Sequence, residues 1–490
     1  MNDKQVKVLM VTAEAVPFAK TGGLADVVGV LPKELQKLGV DARVVMPLYK
    51  CVKEKFAADL EFVRWSMLRM GWRTLYAGLF RCNYEGVEYY FIDNEYYFGY
   101  DEIYKDYDFD IERFCFFQKA VLEALGQAMR FYPDIIHCHD WQAGLIPVLL
   151  QAQYQQFGYF PEIRTLLTIH NLRFQGYTSY EKIADLTGLD NSYLNDYGVL
   201  KDGYANFLKA GIVYADKINT VSHTYAQEIM YEFYGERLET VLNYYKNKLC
   251  GITNGIDTVE FNPATDPALV KNYSVSDFAQ GKAKNKVAVQ KQLNLTVDED
   301  VPLIVMISRL TDQKGLDLFN CIAEDLLKME DCQIVILGTG PSMYEDSLRY
   351  FSNKYPQKMR ACLRFDDHFS NLLYAGADLL LMPSIFEPCG LSQMIAMRYG
   401  TLPIVRETGG LVDTVQPYNR YEHSGNGFSF TNINAHDFLH VICQALRLYR
   451  AYHNGENMDF ANLITTAMKC DFSWNNAGKE YLKLYESMIE

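Results

Sequence analysis

The chain has 490 residues, 49% of them hydrophobic and 22% charged, which is typical of a globular protein with about two to four domains. The 47 Lys and Arg residues are outnumbered by 61 Asp and Glu residues, and the net charge of −14 argues against a nucleic-acid partner, because phosphate backbones attract clustered cations. We find no apolar run of about 18 residues, and the start lacks a signal peptide's apolar segment, so no membrane partner is expected. The 11 cysteines show no metal-like spacing, which favours reduced thiols in the cytoplasm.

Strand and helix patterns alternate along the first half of the chain, which predicts an α/β fold with parallel sheets. The predicted strands cover residues 6–12, 41–46, 88–93, 134–138, 164–169 and 216–221. The predicted helices include 24–38, 110–130, 141–157, 204–214 and 223–233.

A segment rich in turn-forming residues at 251–263 separates this half from a second series of strands. These strands are predicted at 302–307, 333–338, 379–382 and 402–405. We therefore expect two doubly wound, Rossmann-like domains, 1–255 and 256–470, that face each other across a deep cleft. A last helix at 471–490 could pack on either half, and we assign it to the first. Open sheets of this kind bind ligands at the carboxyl ends of their strands.

The loop after the first strand has the features of an anion site. Gly22 and Gly23 open an amphipathic helix, and paired glycines let the backbone approach a bulky ligand closely. The free N–H groups at a helix start attract anions, and Lys20 adds a full positive charge beside them. This loop is predicted to bind a phosphate or a phosphosugar.

Three loops of the second half lie at predicted strand ends and carry similar features. Arg309 and Lys314 are close enough in sequence to bind one diphosphate, although a solvated loop ion pair is the alternative. Glu387, between Phe386 and Pro388, suits a sugar hydroxyl. The Gly409-Gly410 pair is predicted to offer one more helix start to an anion.

Motifs distributed in order along almost the whole chain carry a resemblance to a known family. They are KTGGLADV at 20–27, HDW at 139–141, TIHNL at 168–172, NGID at 254–257, SRL at 308–310, QKG at 313–315, FEPCGL at 386–391 and TGGL at 408–411. Each motif is weak alone, but the ordered set resembles bacterial glycogen synthases and plant starch synthases, which form glycosyltransferase family 5.

This resemblance implies a GT-B enzyme that transfers glucose from ADP-glucose to the non-reducing end of an α-1,4-glucan with retained configuration. It implies that the catalytic residues are Lys20, Asp140, His170, Arg309, Lys314 and Glu387. It places further donor-binding residues at Gly22, Gly23, Asn171, Asn254, Phe365, Cys389, Gly390, Leu391 and Ser392. The acceptor-binding candidates are Asp26, Tyr96, Tyr97, Asp140 and Trp141. Neither a cofactor nor a metal is implied, and no oligomeric state is predicted.

Several of these residues also have a purely structural interpretation. His170 follows a buried strand and could be an ordinary core residue. Trp141 is better explained by packing behind Asp140 than by sugar stacking, and most rings between Tyr89 and Phe117 are expected in the core. Among those rings we expect Tyr96 and Tyr97 to be exposed. Phe365 stands where many family members have a Tyr that stacks on adenine, and Cys389 is a reactive thiol or simply a small loop residue.

Breaking a sugar–diphosphate bond creates a cationic sugar ring and a departing anion, which Lys20, Arg309 and Lys314 would stabilise. We favour attack of the acceptor on the same face over a covalent intermediate on Asp140 or Glu387, as retaining glycosidases use. A UDP-glucose or starch-type synthase and a non-catalytic glucan-binding relative are the alternatives. An NAD-dependent dehydrogenase is disfavoured because the first loop lacks GxGxxG. No signature of a phosphorylase is present.

Overall fold

Alternating strands and helices run through the whole structure, a computed structural model that describes residues 5–490. The chain divides into two units: unit 1 consists of residues 5–255 and 474–490, and unit 2 of residues 256–473. The predicted α/β class with two Rossmann-like units is confirmed. Within the described residues, no helix is both long and apolar enough to span a membrane.

Unit 1 is built on a nine-stranded sheet with strand order β12-β11-β7-β6-β1-β2-β5-β4-β3. A three-stranded sheet with order β8-β10-β9 accompanies it. The strands of both are β1 (Lys7–Val11), β2 (Asp41–Pro47), β3 (Glu61–Met70), β4 (Arg73–Tyr84), β5 (Val87–Asp93), β6 (Ile135–His139), β7 (Arg164–Ile169), β8 (Tyr177–Thr178), β9 (Leu200–Lys201), β10 (Tyr204–Asn206), β11 (Lys217–Thr220) and β12 (Leu249–Gly251). From β12 to β5 the large sheet is parallel.

The helices of unit 1 cover this sheet. Numbered in chain order, they are α1 (Gly23–Lys37), α2 (Lys50–Phe56), α3 (Glu95–Phe98), α4 (Tyr107–Ala124), α5 (Ile146–Gln153), α6 (Tyr180–Thr187), α7 (Phe207–Tyr214), α8 (His223–Glu228), α9 (Glu239–Tyr244) and α18 (Trp474–Ile489). Helix α1 buries Leu24, Val28 and Leu35, as its helical spacing predicts. Helix α18 returns to unit 1 and packs against α1.

One edge of the unit 1 sheet is antiparallel, a feature that the prediction of parallel sheets did not include. Strands β3 and β4 form a long antiparallel hairpin, and β4 runs antiparallel to β5. This hairpin was not predicted because β3 is an edge strand whose side chains are mostly exposed, so no buried run marks it. The predicted helix at 141–157 is also interrupted: a short 3-10 turn at Trp141–Ala143 precedes α5.

Unit 2 has one six-stranded parallel sheet with strand order β15-β14-β13-β16-β17-β18. Its strands are β13 (Leu303–Ile307), β14 (Gln333–Leu337), β15 (Met359–Cys362), β16 (Leu379–Met382), β17 (Leu402–Arg406) and β18 (Phe428–Phe430). Its helices are α10 (Phe278–Gln292), α11 (Leu316–Met329), α12 (Ser342–Lys354), α13 (Asp367–Gly376), α14 (Ser392–Arg398), α15 (Gly410–Thr414), α16 (Ala435–His453) and α17 (Asp459–Lys469). This strand order is 3-2-1-4-5-6, that of dinucleotide-binding folds, in which ligands bind where the order reverses.

Candidate active site

The carboxyl ends of the parallel strands of unit 1 lie along one edge of the sheet and collect most of its predicted site residues. Lys20 lies in the loop after β1, Asp140 follows β6 directly, and His170 follows β7 directly. Asn254 comes three residues after β12. The strand order reverses between β1 and β6, so Lys20 and Asp140 flank the position where such sheets bind ligands.

The loop between β1 and α1 is held by Glu14, a buried carboxylate that the sequence analysis did not single out. Glu14 accepts hydrogen bonds from the backbone N–H of Thr21 and, at 2.7 Å, from the Thr21 hydroxyl. The hydroxyl of Tyr104 donates to the same carboxylate at 2.6 Å. These hydrogen bonds hold Thr21, the residue that follows Lys20, in place. The signal was present in the sequence as an acidic residue at the end of a buried strand.

Lys20 and the first turn of α1 show how an anion site can be prepared in advance. The Lys20 ammonium lies 2.9 Å from the carboxylate of Asp26, and both side chains are partly exposed. Asp26, predicted to bind the acceptor, therefore orients Lys20 in this structure. Gly22 caps α1, and a Cβ atom added there would meet nothing within 4 Å. Packing within the protein does not require glycine at this position, so the open space is available to a ligand.

Asp140 combines unusual backbone geometry with a buried charge. Its φ of 55° lies in the left-handed region, which a non-glycine residue adopts only where its surroundings fix it. The backbone N–H groups of His170, at 2.7 Å, and of Asn171 donate to its carboxylate. Burial nevertheless raises the pKa of Asp140 to about 7, and the nearby charge of Glu14 acts in the same direction.

His170 and Asn171 follow β7 and are both half-buried. One ring nitrogen of His170, Nε2, lies 2.9 Å from Nδ1 of His139, the last residue of β6. The side-chain oxygen of Asn171 accepts from the backbone N–H of Arg173. Asn254 is buried, and its Oδ1 finds no partner in the described part of the chain. A buried amide oxygen without a donor is expensive, and a ligand hydroxyl would satisfy it.

The aromatic candidates for acceptor binding separate into exposed and buried rings. Tyr96 is 63% exposed, whereas Tyr97 is fully buried and its hydroxyl donates to Glu112. The prediction that Tyr97 is exposed is wrong, because adjacent side chains of the short helix α3 point about 100° apart, and only that of Tyr97 points into the core. Trp141 is also buried, and its ring packs against Phe114 and Phe207. This burial supports the packing interpretation, and a contact of Trp141 with the acceptor stays a prediction.

In unit 2, the loops after β13 and β16 flank the reversal of strand order and carry the predicted cations and carboxylate. The Lys314 ammonium lies 2.6 Å from Oε2 of Glu387, and the Ser384 hydroxyl donates to the same oxygen at 2.9 Å. Both charged side chains are largely buried. Arg309 is exposed and pairs with no carboxylate within residues 5–490, so it is not part of a loop ion pair.

The residues on both sides of Glu387 are held by two polar side chains that were not singled out from the sequence. Gln393 is buried and donates to the carbonyl oxygens of Cys389 and Gly390. Arg406, at the end of β17, donates to the carbonyl oxygens of Ser384 and Ile385. Cys389 is buried, whereas Gly390, Leu391 and Ser392 are half-buried. The loop that carries Glu387 is therefore held by side-chain hydrogen bonds to its backbone both before and after this residue.

The Gly409-Gly410 pair packs closely against the loop that carries Glu387. A Cβ atom at Gly409 would lie 2.0 Å from the carbonyl oxygen of Glu387, and one at Gly410 would lie 2.2 Å from that of Cys389. The two glycines let this turn pack against the Glu387 loop, and the Gly410 N–H donates to the Glu387 carbonyl oxygen. Helix α15, which they open, has only five residues. The two glycines thus have a packing role, and anion binding at the start of α15 stays a prediction.

Phe365 lies between β15 and α13 and is 76% exposed, as a ring that stacks on a ligand would be. Its contact with adenine stays a prediction. Within the described part of the chain, no group of three or more His, Cys, Asp or Glu side chains could hold a metal ion.

Comparison with known proteins assigns each half of the chain to a glycosyltransferase domain. Residues 7–244 match the family model of the starch synthase catalytic domain. Residues 290–457 match the model of glycosyl transferases group 1. The two matches fall in unit 1 and unit 2, respectively.

Full-length relatives and a solved structure agree with these matches. The chain is 47% identical to glycogen synthases of Lachnospira eligens, over 98% of this chain and 99% of that protein, and of Geobacillus thermodenitrificans, over 99% and 98%. The catalytic domain of starch synthase IV from Arabidopsis thaliana, bound to ADP and acarbose, superposes with a TM-score of 0.91 at 34% identity, covering 99% of this chain and all of that one. A sucrose-phosphate synthase of Thermosynechococcus elongatus shares the fold alone, with a TM-score of 0.63 at 15% identity over 99% of both chains. The chain therefore belongs to the glycogen synthase and starch synthase family of GT-B glycosyltransferases.

Proposed function

We propose that this chain is a glycogen synthase that transfers glucose from ADP-glucose to the non-reducing end of an α-1,4-glucan. The observation that carries the proposal is the position of Arg309, Lys314 and Glu387 in unit 2. They lie in the loops after β13 and β16, where the strand order of a dinucleotide-binding type of sheet reverses. Arg309 is exposed in the loop after β13, which also carries Lys314, and Lys314 pairs with Glu387 in the loop after β16. The starch synthase with 34% identity was solved with ADP and acarbose, which supports an adenine nucleotide and an α-glucan as ligands.

In the proposed reaction, the bond between glucose C1 and the β-phosphate oxygen breaks while the 4-hydroxyl oxygen of the acceptor bonds to C1. The acceptor proton passes to an oxygen of the departing ADP, and attack on the same face retains the configuration. Arg309 and Lys314 stabilise the charge that develops on the diphosphate, the kind of preorganised electrostatic effect that usually contributes most to catalysis. Lys20 is proposed to act on the same charge, and no metal ion is required.

The groups of unit 1 suit the glucosyl cation and the sugar hydroxyls. The carboxylate of Asp140, when ionised, offers a negative charge at the edge where acceptor and donor sugar are expected to react. His170 and Asn254 offer polar atoms for hydroxyl groups. Asp140 belongs to unit 1 and Glu387 to unit 2. A trapped covalent glucosyl adduct on either residue would contradict same-face attack.

The test is glucose transfer to glycogen, measured with ADP-glucose and UDP-glucose side by side in the presence of EDTA. We expect transfer from ADP-glucose at a rate that EDTA does not change. A higher rate with UDP-glucose would instead identify the UDP-glucose enzyme, and no transfer from either donor would favour a glucan-binding relative without activity. We place the enzyme in the cytoplasm, where its 11 free cysteines would stay reduced.

A further inference from the structure

Three histidines form a buried cluster behind the edge of unit 1, and two of them have no role in the proposed reaction. His137 and His139 lie on β6 and are fully buried, and their rings are tilted by 35° with centroids 4.1 Å apart. His170 directly follows β7, the strand next to β6, and its Nε2 atom lies 2.9 Å from Nδ1 of His139. Burial lowers the pKa of His137 and of His170 to about 3, and lowers that of His139 well below its usual range, so all three rings are neutral near pH 7.

The hydrogen bonds of His137 define its tautomer. The Thr168 hydroxyl donates to the side-chain oxygen of Asn219 at 2.5 Å, so the Thr168 oxygen accepts from Nε2–H of His137, also at 2.5 Å. The other nitrogen of His137, Nδ1, then carries a lone pair and accepts from the hydroxyl of Tyr485 in α18 at 2.8 Å. Both nitrogens of this ring are satisfied.

His139 differs because its Nε2 is buried without a partner within residues 5–490. If His170 donated to His139, the proton of His139 would sit on this Nε2 as a buried N–H group without an acceptor. If His139 donates to His170, the unpartnered atom is only a lone pair. Orphaned buried N–H groups are rarer than under-satisfied acceptors, and a buried donor without a partner costs about 1–3 kcal/mol. The second arrangement is the stable one.

We propose that His139 is a positioning residue that fixes the tautomer of His170. Its Nδ1–H donates to Nε2 of His170, which places the single proton of the neutral His170 ring on Nδ1. This Nδ1 has no partner in the described part of the chain, and the ring is half-buried at the edge that carries Asp140. His170 therefore presents an N–H donor, suited to a hydroxyl oxygen, and cannot accept a proton from one. The consequence for catalysis rests on the proposed function, whereas the tautomer does not.

The tautomer is measured directly by long-range ¹H–¹⁵N NMR on the full chain labelled with ¹⁵N in the histidine rings. The chemical shifts of protonated and unprotonated ring nitrogens are well separated, and the His170 signals are identified by their loss in His170→Asn. We expect Nδ1 of His170 to be protonated and Nε2 to be unprotonated in the free enzyme. A proton on Nε2 would overturn the proposal.

Variants of the two buried histidines then separate positioning from packing. His139→Leu removes the donor and the orphaned nitrogen, and we expect His170 to shift toward protonation on Nε2. His139→Asn retains an N–H donor near the original Nδ1 position and should restore the native tautomer. His137→Leu is the matched control, because it removes an equally buried ring that does not contact Nε2 of His170. Native tautomers in all three variants would overturn the proposal.

Turnover provides the functional readout. We expect kcat of His139→Leu to fall about ten- to a hundredfold, the usual effect of removing a group that orients a working imidazole, with partial recovery in His139→Asn. A shifted tautomer with unchanged kcat would overturn the catalytic half of the proposal. If the native enzyme transferred glucose from neither nucleotide sugar, the NMR result would still decide the role of His139, so the two failures are distinguishable.

Discussion

At the scale of single residues, Asp140 is the group whose ionisation the surroundings change in a way that activity can report. Burial raises the pKa of this carboxyl from 3.8 to about 7, against the backbone N–H groups of His170 and Asn171, which favour its charged form. The same residue has left-handed backbone geometry and lies beside the reversal of strand order. Conformational strain and a displaced pKa at one position are typical of a functional site.

The raised pKa of Asp140 predicts a pH dependence with a definite sign. If the charged carboxylate stabilises the glucosyl cation, kcat should rise with pH, because a group of pKa 7 is about one tenth ionised at pH 6 and about nine tenths at pH 8. We expect about a tenfold increase between these two values, measured under saturating substrates. Asp140→Asn should be slower and should lose this step. A native profile that is flat from pH 6 to 8 would contradict the assignment.

The Lys314–Glu387 ion pair predicts that activity is lost when one carboxylate oxygen of Glu387 is replaced by an amide nitrogen. Glu387→Gln keeps the shape of the side chain but removes the charge that orients the Lys314 ammonium at 2.6 Å. We expect kcat/KM for the donor to fall at least about a hundredfold, as for other preorganised charged groups, measured by initial rates with glycogen.

Glu324→Gln is the matched control for that change. Glu324 bridges Lys328 and Lys354 on the surface, and exposed ion pairs contribute little. Its rate should equal the native one. Activity of Glu387→Gln within twofold of native would remove Glu387 from the donor site.

At the scale of elements, the sequence was most informative where strands are buried. Strand β1 and the central strands of unit 2 are continuous apolar runs, and they lie within one or two residues of their predicted bounds. The β3–β4 hairpin was missed because edge strands need no such run. The helix predicted at 141–157 is divided because Pro147 suits the first turn of a new helix and not an interior position.

The site could be predicted only as far as chemistry follows from residue type. The charged residues at the strand ends were found, since cations next to glycine-rich loops are unusual in a purely structural loop. The choice between Tyr96 and Tyr97 required the three-dimensional direction of α3. Supporting groups such as Glu14, Gln393 and Arg406 were missed, because their partners, backbone atoms and for Glu14 also two hydroxyl groups, are brought together only by folding.

The packing of the turn at Gly409 against the Glu387 loop predicts how two adjacent loops depend on each other. Gly409→Ala would place a Cβ atom 2.0 Å from the Glu387 carbonyl oxygen at a φ of 47°, so the loop must shift. We expect the KM for ADP-glucose to rise at least about tenfold, with a lower unfolding temperature, measured by kinetics and thermal unfolding.

Gly455→Ala provides the comparison for the strain alone. Gly455 has a φ of 74°, but a Cβ atom there meets nothing within 4 Å. It should cost about 1 kcal/mol of stability and leave KM unchanged. Equal KM values for both variants would show that the contact with the Glu387 loop is not needed for donor binding.

At the scale of the whole molecule, the two units differ in how the chain builds them. Unit 2 is one continuous stretch, 256–473, and contains every strand of its sheet. Unit 1 needs two stretches, because Tyr481 and Tyr485 of α18 are buried and hydrogen-bond to Asn219 and His137. The two units therefore have different requirements for independent folding.

This difference predicts the behaviour of fragments. Residues 256–473 should give a cooperative thermal transition alone, measured by circular dichroism, because no strand or covering helix is missing. Residues 1–255 should lack such a transition, since loss of α18 uncovers α1 and leaves buried polar groups without partners. Joining 474–490 to residue 255 through a flexible linker should restore it. Cooperative unfolding of 1–255 alone would contradict this prediction.

The return of α18 also has a consequence for the order of events on the ribosome. Translation runs from the amino terminus, so the strands of unit 1 are made first, yet the helix that covers α1 emerges only after all of 256–473 has been synthesised. The synthesis of unit 2 is thus complete before that of unit 1, although unit 1 is begun first. A nascent chain of this enzyme must carry an unfinished first domain throughout most of its synthesis, the period in which chaperones protect exposed apolar surfaces.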